Sequence, residues 1–512
     1  MADLLAPATG KKIAAIKNME TAELVGIKAK AEAVQKSWAA MPAAARKKRL
    51  IKIREYVLEN SDKISGIVAE CTGKTPNDAF AGEVFPAVIS VGNYLRSVNK
   101  VLKRKKLKRS SLMFFNKTSY LFHEPYGVIG IISPWNYPFG IPFHEVLVAL
   151  AAGNSVLLKL ATQAQPLGDI FEEMASFADL PQGLLNIINI KGSLAGKAFL
   201  NAGINKLFFT GSVDVGKELM ALAADKLIPV SLELGGNDAM IVCSDANIYR
   251  AAAGAVWGGI SNCGQSCGGV ERIYVMENVY DEFVETLAAM INGLRQGLGY
   301  EVDFGSLTTL SQKKKVEEHI KDALAKGARI RAKSPEVTGD FFHQAVLLEN
   351  VTHDMDVMKH ETFGPVLGVC KVKDEDEAIK LANDSYLGLT GSIWTRNRKR
   401  GMKLAARMEA GAITLNDHLM SHGMSETPWG GYKMSSLGRS HGGAGLLEAV
   451  QSKVVVYDST HFLPRNIWWH PYSEKGYNGL KSAMNAFFNK SVFKRFISTF
   501  KLISFYVKRM KK

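Results

Sequence analysis

The segment Asn262-Cys263-Gly264-Gln265-Ser266-Cys267-Gly268 places two thiols and a hydroxyl close together in the chain. Gly264 to Gly268 also satisfies the G-x-S-x-G spacing of serine hydrolases, which requires a strand before the serine and a helix after it. Here the residues leading in, Ala251 to Ile260, are small and helix-forming, so that context is inverted. A thiol nucleophile fits better. A thiolate that attacks a carbonyl carbon creates an oxyanion, which needs donors aimed at it, and a base to manage protons. Taken alone, Glu233 reads as a strand-end carboxylate, Asn136 as a turn cap between two prolines, and Cys263 as buried and inert. His144-Glu145 opens like a zinc-binding H-E-x-x-H, but Val148 stands where the second histidine belongs, so no metal site is expected. Cys71, Cys243, Cys263, Cys267 and Cys370 form no C-x-x-C pair, which argues against a disulfide framework or a zinc ribbon.

Such groups need a frame. Ile27, Ala31, Val34, Trp38 and Met41, then Leu50, Ile53 and Val57, recur at helical spacing and predict helices over about 18–100. Residues 119–124 and 127–132 are β-rich. Strand candidates at 155–160, 185–190, 206–209 and 229–233 alternate with helices, which implies a parallel sheet covered on both faces. A second alternating block runs from 239 to about 411, with strands at 271–276, 366–372 and, just past it, 412–415. There is no G-x-G-x-x-G; instead Gly211-Ser212 opens a helix whose N-terminus suits a pyrophosphate.

The chain has 512 residues, 47% hydrophobic and 22% charged, which excludes a fully disordered protein. Its formal charge is +15, but the stretch 100–109 carries seven bases and no acid, and 465–512 carries eleven bases against Glu474. The remainder is near neutral, which argues against a nucleic-acid-binding core and for local attraction to an anionic surface. In the tail, Phe487, Phe488, Phe493, Phe496, Phe500 and Ile503 recur at about 3.6 residues, interleaved with lysine and arginine. No run is long enough to span a bilayer, so a basic amphipathic helix lying in an anionic membrane surface is expected. MADLLAPATGKK has no apolar signal core, so a cytoplasmic, peripherally membrane-associated protein is expected.

Six motifs, in order, resemble the aldehyde dehydrogenase superfamily over about residues 20–460: Ser133-Pro134-Trp135-Asn136-Tyr137-Pro138, Phe209-Thr210-Gly211-Ser212 with Gly216, Glu233-Leu234-Gly235-Gly236, Gly264-Gln265-Ser266-Cys267, Glu361-Thr362-Phe363-Gly364-Pro365, and Pro428-Trp429-Gly430-Gly431-Tyr432-Lys433. The resemblance implies an α/β fold: a Rossmann-like NAD(P)-binding domain (1–106 and 126–235), a catalytic domain (236–425), a small β oligomerisation arm with a C-terminal strand (107–125 and 426–464), and the basic tail (465–512). It implies Cys267 as nucleophile, Glu233 as general base and Asn136 as oxyanion donor. Lys159 would bind adenosine-ribose hydroxyls, Gly211 and Ser212 the pyrophosphate, and Glu361 the nicotinamide ribose. Ile132, Pro134, Trp135, Leu234 and Phe363 would shape the cofactor cleft. The family commonly has an acidic residue where Thr162 stands; its loss removes repulsion of a 2′-phosphate, so NADP is expected to be tolerated beside NAD.

Tyr137, Ile141, Phe143 and His144 fall where the family lines its substrate tunnel, with no arginine among them. The ending Trp468-Trp469-His470-Pro471-Tyr472 and the tail resemble the membrane-associated fatty-aldehyde branch. A medium- or long-chain aliphatic aldehyde is therefore the expected substrate. The alternative is a small polar aldehyde or semialdehyde; a thiol or serine hydrolase is a distant third. A homodimer or homotetramer is expected through the β arm.

Overall fold

The computed structural model describes residues 3–16, 18–466 and 468–510. The chain divides into two compact units, 1–102 with 124–451, and 103–123 with 452–512.

The larger unit holds two sheets. The first has the order Ser436–Leu437, Val230–Glu233, Lys206–Thr210, Val128–Ile132, Ser155–Lys159, Leu185–Ile187. Its strands are parallel except the first, which is antiparallel. Val128-Ile-Gly-Ile-Ile132 is buried throughout, as expected of a parallel strand covered on both faces. Chain order runs outward in both directions from Val128–Ile132, so the order reverses between that strand and Lys206–Thr210. That reversal opens a crevice at the carboxyl ends of the two strands, where α/β sheets bind ligands. The helix Gly140–Ala152 is buried on every side, His144 and Glu145 included. The helices Glu23–Ala40, Ala43–Glu59, Ser61–Thr72 and Phe85–Leu102 cover the sheet through a core that includes Trp38, Ile53, Val57, Val91 and Tyr94.

The second sheet has the order Arg329–Lys333, Val346–Glu349, Val366–Val372, Val270–Met276, Asp238–Val242, Thr390–Trp394, Ala412–Leu415. All but the first strand are parallel. Val270–Met276 lies in the middle and is wholly buried, so the loop entering it, which carries Cys267, rests on a rigid support.

In the smaller unit, Val450–Asp458, Lys117–Pro125 and Lys105–Lys106 form a three-stranded sheet. Part of the basic run at 100–109 is therefore strand, not only helix end: Lys105 pairs with Leu121 and Lys106 with Tyr120. The tail is two helices, Glu474–Phe488 and Val492–Met510, rather than the single amphipathic helix expected. Asn489 is extended at the break, and the Ser491 hydroxyl accepts the Lys494 N–H at the start of the second helix. The helices close on each other because Gly479 leaves room for the Phe505 ring, to which an added Cβ would come within 2.3 Å. Ala483, Ala486 and Leu502 are buried between them, while Phe493, Phe496, Phe500 and Ile503 remain exposed. Among the described residues no helix is long and apolar enough to cross a membrane.

Candidate active site

The loop to Cys267 begins where the helix Ile248–Ile260 ends. Asn262, Cys263 and Gly264 follow in the left-handed region, with φ of 53°, 56° and 70°. Two non-glycine residues there cost on the order of 1 kcal/mol or more each, so the surroundings must hold them. The Asn262 side-chain amide donates to the carbonyls of Asn136 (3.0 Å) and Gln265 (3.0 Å). The Gln265 amide donates to the Asn262 carbonyl (2.9 Å), and its oxygen accepts the Thr308 N–H (2.9 Å). A side chain at Gly264 would place its Cβ 2.1 Å from the Gly364 carbonyl. Gly264 and Gln265 thus have steric and bonding reasons: glycine for the close approach of the Gly364 backbone, glutamine to staple the loop to itself and to Thr308.

Asn136 sits in the turn between Val128–Ile132 and the helix Gly140–Ala152. A buried ion pair organises that turn: Lys74 Nζ lies 2.7 Å from Glu83 Oε1, with side chains 1% and 0% exposed. Lys74 also donates to the Asn136 carbonyl (2.7 Å), and Glu83 Oε2 accepts the N–H groups of Phe139 (2.8 Å) and Gly140 (2.9 Å). The Asn136 side chain donates to the Gln265 carbonyl (3.1 Å), which ties this turn to the cysteine loop.

Glu233 ends its strand and is followed by two glycines with steric duties. A Cβ at Gly236 would lie 2.0 Å from the Cys267 carbonyl, and one at Gly235 2.8 Å from Glu361 Oε2. The Gly236 N–H donates to Glu361 Oε1 (3.0 Å). Glu271 accepts the N–H groups of Thr362 (2.6 Å) and Phe363 (2.8 Å), holding Phe363 at φ 56°. Phe363 meets Trp135 edge to face, centroids 5.6 Å apart.

Three cavities reach Cys267. The first is a cleft of about 230 Å³ that brings together Pro134, Trp135, Asn136, Gly211, Ser212, Leu234, Glu361 and Phe363. Ser212 caps the helix Val213–Ala224, its hydroxyl accepting the Val215 N–H. Ile132, Lys159 and Thr162 do not line this cleft. Ile132 pairs in register with Lys159 at the strand ends, however, and Lys159 Nζ would stand 3.6 Å from a Cβ at Gly192. The second cavity, about 200 Å³, is walled by Phe85, Ile89, Tyr137, Trp257, Leu419 and Met420. The third lies behind the thiol and contains Glu233, Glu145, Ser231, His144, His422 and His441. The expected tunnel residues are therefore divided. Tyr137 lines the second cavity, Ile141 and His144 face the third, and Phe143 packs in the core against Phe139 at 5.3 Å, because the helix turns each residue about 100° from the last.

Sequence reading missed Gln312 and Lys315, which line the first cleft. Lys315 stands in the run Lys313-Lys314-Lys315 and reads as one more solvated lysine. His422 and His441 were also missed, since neither belongs to a recognisable spacing. Among the described residues no cluster of three or more His, Cys, Asp or Glu is placed to hold a metal ion.

Burial dominates the electrostatics. It pushes the Cys267 thiol well up, reinforced by Glu361, Asp238 and Glu233, so the resting group is a thiol. It raises Glu233 well above the usual carboxylate range, with Glu145 adding repulsion and Arg439 opposing it. Glu145 is pushed up to about 8 by burial. Burial depresses His144 to about 3 and His422 to about 4, so both imidazoles are neutral. Glu361 is raised by burial, with Lys315 pulling the other way.

A parallel sheet with a helix terminus at its switch point shares one crevice with a thiol and a carboxyl, an arrangement suited to an enzyme that binds a nucleotide beside a reactive group. Residues 1–455 match the model of the aldehyde dehydrogenase family, and the chain belongs to that family. It is an aldehyde dehydrogenase using NAD or NADP. The chain is 37% identical over 448 residues to a 4,4'-diapolycopene aldehyde oxidase of a Methylomonas species, covering 88% of this chain and 84% of that protein. It is 34% identical over 452 residues to a Mycobacterium ulcerans protein provisionally named succinate-semialdehyde dehydrogenase [NADP(+)] 2, covering 87% of this chain and 86% of the relative. The crystal structure of an aldehyde dehydrogenase from Brucella melitensis biovar abortus superposes with a TM-score of 0.84 at 31% identity, covering 89% and 93% of the two chains. An aldehyde dehydrogenase from Bacillus cereus in complex with NAD+ superposes with a TM-score of 0.84 at 29% identity, covering 89% and 93%. The tail lies beyond the family match, so nothing in these likenesses speaks for a fatty-aldehyde branch or a membrane.

Proposed function

We propose that the chain oxidises an apolar aldehyde, medium- or long-chain, to its carboxylate. The observation that carries this is the second cavity: its described lining includes no lysine or arginine, is mostly apolar and aromatic, and contains the half-buried carboxyl of Asp78. A semialdehyde would bring a carboxylate into that cavity and leave it unpaired, which is costly. The 37% identical relative is named for 4,4'-diapolycopene aldehyde, not for a semialdehyde.

Cys267 is the nucleophile. Glu233 takes the thiol proton and later activates the water that hydrolyses the thioester. Asn136 and the Cys267 N–H stabilise the oxyanion. The cofactor fits the first cleft. The helix N-terminus at Ser212 suits a pyrophosphate, Glu361 the nicotinamide ribose, Lys315 the same end, and Lys159 with Thr162 the adenosine ribose. A nicotinamide held there would supply the acceptor for the hydride lost by the substrate carbon. Thr162 brings no charge against a 2′-phosphate, so NADP is used at least as well as NAD.

A second reading, a small polar aldehyde or semialdehyde, has the better support among the named relatives, since the Mycobacterium proteins carry that name. Initial rates at 340 nm with acetaldehyde, hexanal, decanal and succinic semialdehyde decide between them. The highest kcat/KM with decanal supports the first reading; the highest with succinic semialdehyde replaces it with the second.

Two surfaces of the smaller unit suggest partners. The strand Val450–Asp458 exposes Val454, Val455, Val456 and Tyr457, which suits pairing with a second copy. The exposed Phe493, Phe496 and Phe500, beside Lys494 and Lys501, suit an anionic membrane surface.

A further inference from the structure

Oxidation of one aldehyde to carboxylate, using one water and one oxidised nicotinamide, starts and ends with the Cys267 thiol and releases two protons. In the hydrolytic step the water oxygen bonds to the thioester carbon and its O–H electron pair stays on oxygen. The proton passes to Glu233, and the C–S pair returns to sulfur, which takes the proton of the new carboxyl group to restore the thiol. Glu233 is buried, so protons it collects need a way out. During these steps the second cavity holds the aldehyde and the cleft holds the nucleotide.

The third cavity remains. It has about 40 Å³ of free space, enough for a few waters. Four buried polar atoms of its lining have no hydrogen-bond partner in the protein: Oε2 of Glu233, Oε2 of Glu145, and Nδ1 of His144 and of His441. Buried polar atoms are rarely left so, and a cavity of this size has room for the waters that would satisfy them. The Glu145 carboxyl is held at its other oxygen by the Thr210 hydroxyl (3.3 Å). The three imidazoles lie together, with ring centroids 4.4 Å apart for His144 and His441 and 5.0 Å for His422 and His441. At the far side, the Ser231 hydroxyl donates to Glu448 Oε2 (2.6 Å), and that carboxyl, 28% exposed, pairs with Lys206 (2.8 Å).

We propose that this cavity is the proton outlet of the active site, running from Glu233 through Glu145 and the Ser231 hydroxyl to Glu448 at the surface. The proposal rests on Glu233 as general base. Glu145 and Ser231 act through Glu233 and touch neither substrate nor cofactor. The titratable and charged groups around the cavity are Glu145, Glu233, Cys267, the three histidines and Arg439, with Glu448 and its partner Lys206 beyond Ser231. The imidazoles stay neutral, so Arg439 is the cation that favours an ionised Glu233, while Lys206 pairs with Glu448. An ionised Glu145 repels an ionised Glu233, so removing it makes Glu233 ionise at lower pH.

The test uses the full chain with Glu145→Gln and Ser231→Ala. The first-turnover burst of reduced nicotinamide, measured by stopped flow, should persist in both. Steady-state kcat should fall about tenfold in Glu145→Gln and severalfold in Ser231→Ala. The solvent isotope effect on kcat should rise, and high concentrations of a small buffer such as imidazole should restore part of the rate. In Glu145→Gln the acid limb of kcat should move to lower pH. Wild-type kcat, isotope effect and pH limb in either folded variant overturn the outlet, as does a lowered kcat that no buffer restores. If Glu145→Gln does not fold, Ser231→Ala decides alone. Loss of the burst in Glu233→Gln together with an unaltered deacylation rate refutes Glu233 as the hydrolytic base, a separate failure.

Discussion

Replacing Glu83 by glutamine should damage both stability and catalysis, although Glu83 is not in the active site. Its carboxylate serves three buried donors: Lys74 Nζ at one oxygen, and the N–H groups of Phe139 and Gly140 at the other. Glutamine keeps one acceptor oxygen and turns an amide toward the remaining donors. Breaking a buried ion pair by removing one partner costs ~3–5 kcal/mol, because the surviving charge is left uncompensated. Unfolding entropy near 2.1 cal/mol/K per residue, scaled to this chain length, converts ~4 kcal/mol into a melting shift on the order of 4 °C. Lys74 also holds the Asn136 carbonyl, so the turn that aims Asn136 loosens. A displacement of ~1 Å at an aligned site costs ~10²-fold in rate, so kcat should fall about that much with KM less affected. Scanning calorimetry at one scan rate and saturation kinetics measure both. Asp179→Asn, which breaks the exposed Lys52 pair, is the control and should change neither. A Glu83→Gln protein with wild-type melting and wild-type kcat would refute the claim that this pair positions Asn136.

Four other outcomes are expected. Cys267→Ala should lose turnover by roughly 10³-fold or more, whereas Cys263→Ala should keep it, because Cys263 is fully buried; the 340 nm assay reads both. Thr162→Glu should shift the ratio of kcat/KM for NADP over NAD toward NAD by roughly tenfold or more, by repulsion of the 2′-phosphate; an unchanged ratio rejects the role given to this position. Glu145, pushed up to about 8 by burial, keeps its proton in the native state where the unfolded chain has released it, so stability should fall as pH rises from about 4.5 toward 8. Melting temperatures of wild type and Glu145→Gln across that range should differ in slope, the variant being flatter. Deleting residues 476–512 should abolish co-sedimentation with phosphatidylserine vesicles while short-aldehyde turnover persists; a truncated protein that still sediments rules out the tail as the membrane contact.

Much of the candidate site was legible in the chain because its parts are local. The Asn262 and Gln265 side chains each bond across three residues of their own loop, Ser212 caps the helix it begins, and Glu233-Leu234-Gly235-Gly236 ends a strand whose apolar run is visible; that the loop also rests on Asn136, Thr308 and Gly364 was not legible. Lys315 and the histidines were not legible. Lys315 looks like its neighbours Lys313 and Lys314, and only the packing of its helix selects it for the cleft. His422 and His441 are separated from His144 by most of the chain, and no spacing rule joins them. The tail misled in a different way: its helical period is continuous across residues 489–491, but the small Gly479, Ala483 and Ala486 allow it to fold back on itself.

The sequence by itself determined the chemistry available: one thiol in a loop it can close, a carboxyl at a strand end, a helix start for a phosphate, and two alternating blocks that must form parallel sheets. Those follow from local propensity and short-range sterics, which a chain expresses within about a dozen residues. The tertiary structure decided which groups share a cavity. It divided Tyr137, Ile141, Phe143 and His144 among two cavities and the core. It also gathered Glu145, Ser231 and Glu233 behind the thiol. Those placements depend on packing between elements far apart in the chain, where burial rather than sequence neighbours dominates the ionisation of Glu233, Glu145, His144 and His422.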